Sequence, residues 1–240
     1  MKKLLLLPAM LVTVALCAQK VINVDHNNTS NANVFGSFFT VAGVPFSSAK
    51  YVRITAGTPY FSETWMKGDL ILDKDKVCRN AIVRLDLLDN SIEYIDPVTT
   101  TKMIASTPVK EMTLTDSITG EKFRFFHSSS LPDAKDLSPG WYQMLTDGTA
   151  TLFKFVTKSI TESRPYGSAT VEQVIISADE YFLSTTTSFS KIKKFNSIPD
   201  MLPAKKDELK KYINSNKLYG KSEYDFSSVI EYYNTLLKAS

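Results

Sequence analysis

From Tyr51 to about Phe195 the chain is written in short apolar runs separated by turn-forming clusters, with no intervening helical pattern. Residues 51–55 alternate and stop at Ala56-Gly57-Thr58-Pro59, and residues 69–72 stop at Asp73-Lys74-Asp75-Lys76. Residues 77–88 follow. Within them Val83, Leu85 and Leu87 fall on one face and Arg84 and Asp86 on the other, as the two-residue period of a strand requires. Asp89-Asn90 turns the chain into residues 91–95, Asp96-Pro97 punctuates, and 103–105, 109–114 and 122–126 keep the interval. After a Ser-, Pro- and Asp-rich loop at 128–140, a second block reads as strands at 141–145, 150–160, 170–176 and 180–186. Strands with turn signals at this spacing point to a mainly β fold, an antiparallel sandwich or a partly open barrel. The lack of crossover helices argues against a parallel sheet.

Beyond Ile198-Pro199 the period changes. Pro203 marks a first helical turn, Leu209, Tyr212 and Ile213 form an i, i+3, i+4 stripe, and Asn216 is a stop. A final helix is capped by Asp225 and carries Phe226, Val229, Ile230, Tyr233, Leu236 and Leu237 on one face. Neither helix is long enough to be stable alone, so both are expected to pack on the β body. The resulting division is a signal peptide at 1–18, an irregular arm at 19–49, a β domain at 50–197 and two C-terminal helices at 198–240. At 43% apolar and 22% charged residues the chain has enough apolar material for a sizeable core.

The leader sets the expected compartment. Lys2 and Lys3 precede an apolar run at 4–16, too short to span a bilayer, and Ala18-Gln19 offers a cleavage point. Export to the periplasm or cell surface follows. Lipidation at Cys17 is disfavoured by Leu16 before it. With the leader removed, Cys78 is the one remaining thiol, read as an inward-facing strand residue. Losing Lys2 and Lys3 also takes the net charge from +3 to +1.

Little of the sequence carries chemistry. His26 and His127 lie outside any metal-ligand spacing, so no metal or cofactor is expected. His127 precedes Ser128-Ser129-Ser130, yet no nucleophile elbow accompanies it, and no catalytic residue is assigned. Asp86 reads as an ion-pair partner of Arg84 or Arg53. Candidate binding residues are Arg164 and Tyr166, at the stiff tip Arg164-Pro165-Tyr166-Gly167-Ser168, together with Trp65 and Trp141. Each tryptophan has two readings, an exposed ring that stacks on a sugar or a partner, or a core side chain. Residues 191–221 hold nine lysines against Asp200, Asp207 and Glu208. That excess fits either a solvated helix face or a weak contact with an anionic membrane surface. Nucleic acid is not an expected partner, because no Arg–aromatic interleaving accompanies the charge.

The stretches Trp65-Met66-Lys67-Gly68-Asp69-Leu70, Arg84-Leu85-Asp86-Leu87-Leu88, Pro165-Tyr166-Gly167-Ser168 and Tyr232-Tyr233-Asn234 resemble a family of secreted proteins from Bacteroidota-type bacteria. The resemblance covers most of the chain after the leader. It implies an envelope location and carries no known activity. The expected function is therefore a non-catalytic envelope protein that binds an envelope protein or glycan, or serves as a structural accessory. The rival is a hydrolase of envelope glycans or peptides using carboxylates such as Asp86. A concave pocket holding two carboxylates, or His127 with a partner, favours the enzyme; exposed aromatics on loops favour binding. An outer-membrane barrel does not fit strands without long lipid-facing alternation.

Overall fold

A computed structural model describes residues 21–23, 53–72, 76–133, 136–164, 166–167 and 170–238. The expected leader at 1–18 with Cys17, the expected arm apart from 21–23, the turn at 73–75, and Pro165 and Ser168 of the tip lie outside the described residues.

The strands are β1 (Val21–Asn23), β2 (Ile54–Ala56), β3 (Met66–Leu72), β4 (Val77–Asp86), β5 (Ser91–Ile95) and β6 (Lys102–Ile104). They continue as β7 (Val109–Thr115), β8 (Lys122–His127), β9 (Trp141–Thr146), β10 (Thr151–Ser163), β11 (Glu172–Ser184) and β12 (Phe189–Lys191). The main path of the sheet is β12-β11-β10-β9-β8-β7-β3-β4-β5-β6, with β1 added in parallel to β4 and β2 in parallel to β11. Every pair along that path is antiparallel. Its two ends do not pair with each other, so the sheet stays open. This is the mainly β, partly open architecture that the turn rhythm predicts.

The helices are α1 (Ile198–Met201), α2 (Lys206–Ser215) and α3 (Glu223–Lys238), with a 310 turn at Pro203–Lys205 leading into α2. Strand periodicity explains how they dock. On β10 and β11, Leu152 and Leu183 are cross-strand partners, and so are the adjacent Phe153 and Phe182, which point the other way. Leu152 and Leu183 join Ile198, Leu209, Ile213, Phe226, Val229 and Ile230 under the helices. Phe153, Phe155 and Phe182 join Tyr142 and Phe189 in an aromatic cluster on the opposite face. A third cluster, built around Leu70, Val83, Leu85, Tyr94, Met112 and Trp141, fills the β3–β8 half.

Four local readings change. The segments read at 170–176 and 180–186 belong to one strand, β11, because Ser177, Ala178 and Asp179 between them hold the ladder opposite Lys158, Thr157 and Val156. β4 ends at Asp86, and Leu87 begins a turn. The loop at 128–140 opens with a 310 turn at Ser128–Ser130 whose first residue is buried. At α3 the hydroxyl of Ser222 accepts the Asp225 N–H (3.3 Å) and donates to Asp225 Oδ1 (2.9 Å). Ser222 is thus the cap, while Asp225 holds the preceding turn by accepting from Tyr219 and Lys221 N–H.

Candidate functional site

A shaped cleft lies where the β5, β6 and β7 ends meet the start of β9. It has a volume of about 440 Å³ and is lined by residues 90–92 and 105–110 with His127, Ser129 and Trp141. Local backbone bonds build it. Ala105 N–H donates to the Ile92 carbonyl (2.8 Å), folding the segment after β6 back onto β5. Ser128 N–H donates to the Gly140 carbonyl (2.8 Å), and Gly140 N–H returns to Ser128 Oγ (3.3 Å), closing the 128–140 loop at its base. Ser130 Oγ donates to the Lys110 carbonyl (3.1 Å). These bonds fix His127 beside Trp141, its cross-strand partner, with the rings edge to face at 5.2 Å.

The walls are mixed in character. Ile92, Ala105, Pro108 and Val109 supply apolar surface, and Asn90, Ser91, Ser106, Thr107, Lys110, His127 and Ser129 supply polar groups. Ser91 Oγ and Trp141 Nε1 are buried without a hydrogen-bond partner among the described residues. Such groups are costly inside a protein and rare without a reason. His127 Nδ1 lies 2.8 Å from Ser129 Oγ and accepts Ser129 N–H at 3.3 Å. Burial lowers the His127 pKa, which favours a neutral ring near neutral pH. No carboxylate among the described residues lines this cleft.

A second cleft of about 400 Å³ places Asp133, Asp136, Glu180 and Lys191 over Phe182 and Phe189. Lys191 Nζ and Glu180 Oε1 are paired at 2.6 Å. Among the described residues no group of three His, Cys, Asp or Glu is placed to hold a metal ion.

The four residues singled out from sequence do not converge. Arg164 and Tyr166 are exposed at the β10–β11 tip, and the Tyr166 side chain is fully in solvent. Trp65 is half-buried with the Arg84 guanidinium 4.7 Å over its ring and Lys102 Nζ at 5.9 Å, so cations of its own chain occupy it. Trp141 is only 4% exposed and belongs to the core, which rules it out as an open stacking platform while leaving it in the cleft wall. Asp86 differs more. It is fully buried, and its Oδ1 accepts Leu88 and Asp89 N–H at 2.9 and 3.0 Å. Arg84 pairs instead with Glu93 (2.7 Å), and Arg53 with Glu172 (3.8 Å). Sequence reasoning passed over Ser91, Thr107 and Lys110, ordinary strand and loop residues that only the fold gathers.

Comparisons with family models, with curated proteins and with solved structures each return no match to this chain.

Proposed function

We propose that the protein is an exported cell-envelope accessory that binds a saccharide unit of an envelope glycan in the cleft beside Trp141. The observation that carries this reading is a cleft with apolar walls and a hydroxyl-rich lining, two of whose lining residues, Ser91 and Trp141, keep an Oγ and an Nε1 buried and unpartnered among the described residues. A sugar ring offers what such a lining wants, oxygen acceptors at its edge and C–H surface on its faces. Export and the kinship to secreted Bacteroidota-type proteins belong to the same proposal, and the 1–18 leader supports them. The His127–Ser129 contact is better suited to holding the 310 turn than to nucleophilic attack. The Nδ1 that faces Ser129 Oγ also accepts that residue's own N–H, and no acid among the described residues orients the ring.

The test uses Trp141 as its own reporter. In a Trp65→Phe chain, peptidoglycan and capsular oligosaccharides are titrated while tryptophan emission is followed. Saturable quenching by one glycan, abolished by Ser91→Leu, is the expected result. No response to any glycan, with calorimetry equally silent, would remove the reading.

The hydrolase alternative draws on one observation, the three carboxylates of the second cleft. Its active pair would come from Asp133, Asp136 and Glu180 and not from Asp86. Release of reducing ends from the same glycans, lost in Asp136→Asn, decides for it.

A further inference from the structure

The lysine excess at 191–221 is not spread evenly once the chain is folded. Lys191, Lys205 and Lys206 are paired with Glu180, Glu208 and Asp200 at 2.6, 4.0 and 2.7 Å. Lys210 and Lys211 are exposed on α2, and Lys193, Lys194, Lys217 and Lys221 are exposed outside it, all without an ion pair among the described residues. The fold brings the latter four to one place. Gly220 sits so close to Phe195 that a Cβ there would lie 2.3 Å from the Phe195 Cβ, and its φ of +69° is left-handed. The turn carrying Lys217 and Lys221 is thereby seated on the segment carrying Lys193 and Lys194.

Nearby acids are committed elsewhere. Asp225 spends its oxygens on Tyr219 N–H, Lys221 N–H and the Ser222 hydroxyl, and Glu223 pairs with Lys154 at 3.0 Å. Tyr219 stands 66% exposed in the middle of the patch, with Lys221 Nζ 5.7 Å from its ring centroid. Beneath lies a firm base, because Phe195 meets Phe226 edge to face at 5.1 Å.

We propose that this face docks on an anionic membrane surface. The four ammonium groups meet lipid phosphates, and Tyr219 sits at headgroup level with its hydroxyl in the wet layer. Charge complementarity selects the occupant. The patch is cationic and carries the exposed, amphipathic Tyr219, which suits a phosphate-bearing interface rather than a hydrophobic partner. Contact of this kind is reversible and salt-sensitive, since screening at physiological ionic strength acts over about 8 Å. It does not depend on what the cleft binds.

The full chain is sedimented with vesicles of phosphatidylcholine alone or with about one third phosphatidylglycerol, at low and high salt. The readout is the increment caused by the anionic lipid, so any salt-resistant binding through the apolar N-terminal run cancels. A clear increment at low salt that vanishes at high salt is expected. At about fivefold per lysine, Lys193→Gln, Lys194→Gln, Lys217→Gln and Lys221→Gln together weaken it on the order of 600-fold. A chain with Lys67→Gln, Lys76→Gln, Arg79→Gln and Lys122→Gln loses the same charge from exposed sites elsewhere and keeps most of it. No increment, or equal loss in the two variants, overturns the proposal. So does tighter binding of this face to a DNA duplex at equal phosphate concentration.

Discussion

Glu93 and Arg84 face each other across β5 and β4, and their environment is nearly dry. The Glu93 side chain is 2% exposed and the Arg84 side chain 12%. Glu93 Oε2 accepts from Arg84 Nε (3.0 Å) and Nη2 (2.7 Å), and Oε1 accepts from the Tyr60 hydroxyl (3.3 Å). The guanidinium also lies 3.6 Å over the Tyr60 ring, with Trp65 beside it. Burial first, and then the Glu93 carboxylate, push the Tyr60 phenol up to about 12, so it stays a donor at any working pH. A buried pair of this kind adds little over an apolar replacement, but breaking it strands a charge. Glu93→Ala is therefore expected to cost about 3–5 kcal/mol in urea unfolding. Glu93→Gln, which keeps the hydrogen bonds to Arg84, should cost less. The sequence reading placed Arg84 correctly on the polar face of a strand but gave it the wrong acid. Asp86 is nearer along the chain; Glu93 is nearer across the ladder, and cross-strand register is not written in local spacing.

At the scale of elements, helix α3 is held to the sheet by a polar clamp as well as by its apolar stripe. Asn234 Oδ1 accepts Ala150 N–H (2.9 Å) and its Nδ2 donates to the Ala150 carbonyl (2.8 Å), so one side chain satisfies both backbone groups of a buried residue. Gly148 makes room for it. A Cβ at that position, where φ is +153°, would come within 2.6 Å of the Asn234 amide nitrogen. Tyr181 stacks on Phe226 at 3.9 Å, and Lys154 joins β10 to Asp179 and Glu223 at 3.0 Å each. Replacing Asn234 by Ala strands two buried backbone groups, at about 1–3 kcal/mol for each. Asn234→Asp is the sharper probe: it keeps an acceptor for Ala150 N–H but sets an oxygen against the Ala150 carbonyl. Both variants are expected to lower the urea midpoint, with neither recovering the native value. The apolar face was legible, since Phe226, Val229, Ile230 and Tyr233 are all buried as the helical period requires. Asn234 was not. A polar residue in a helix looks solvated until its partner, far away in sequence, is known.

For the whole molecule, the main path of the sheet is a meander with one long-range splice. β3 pairs with β4 on one side and with β7 on the other, so the β4–β6 excursion returns to its starting strand. Turn rhythm revealed the individual strands but not this splice, because nothing local distinguishes a chain that walks on from one that folds back. Beyond the splice, β9 ties the clusters together, since adjacent Trp141 and Tyr142 enter the N-terminal core and the aromatic cluster respectively. From there β10 and β11 run together for thirteen residue pairs. On β10 the inner half is largely buried and the outer half is exposed up to the tip. On β11 the burial at Phe182 and Leu183 gives way to exposed residues at 176–179, with only Gln173 and Ile175, beside β2, buried beyond them. That gradient predicts where the described body opens first. Within residues 53–238, chymotrypsin should cut after Tyr166 before any other aromatic. Tyr219 is also exposed, but Asp225 holds its N–H, while Phe153, Phe155 and Phe182 are all 7% exposed or less. Because the ladder and two cores lie on the inner side of the cut, the nicked halves should co-elute on gel filtration and separate only in denaturant. Early cleavage at Phe155 or Phe182, or halves that part in native buffer, would mean that the long hairpin is not built into the body at its base.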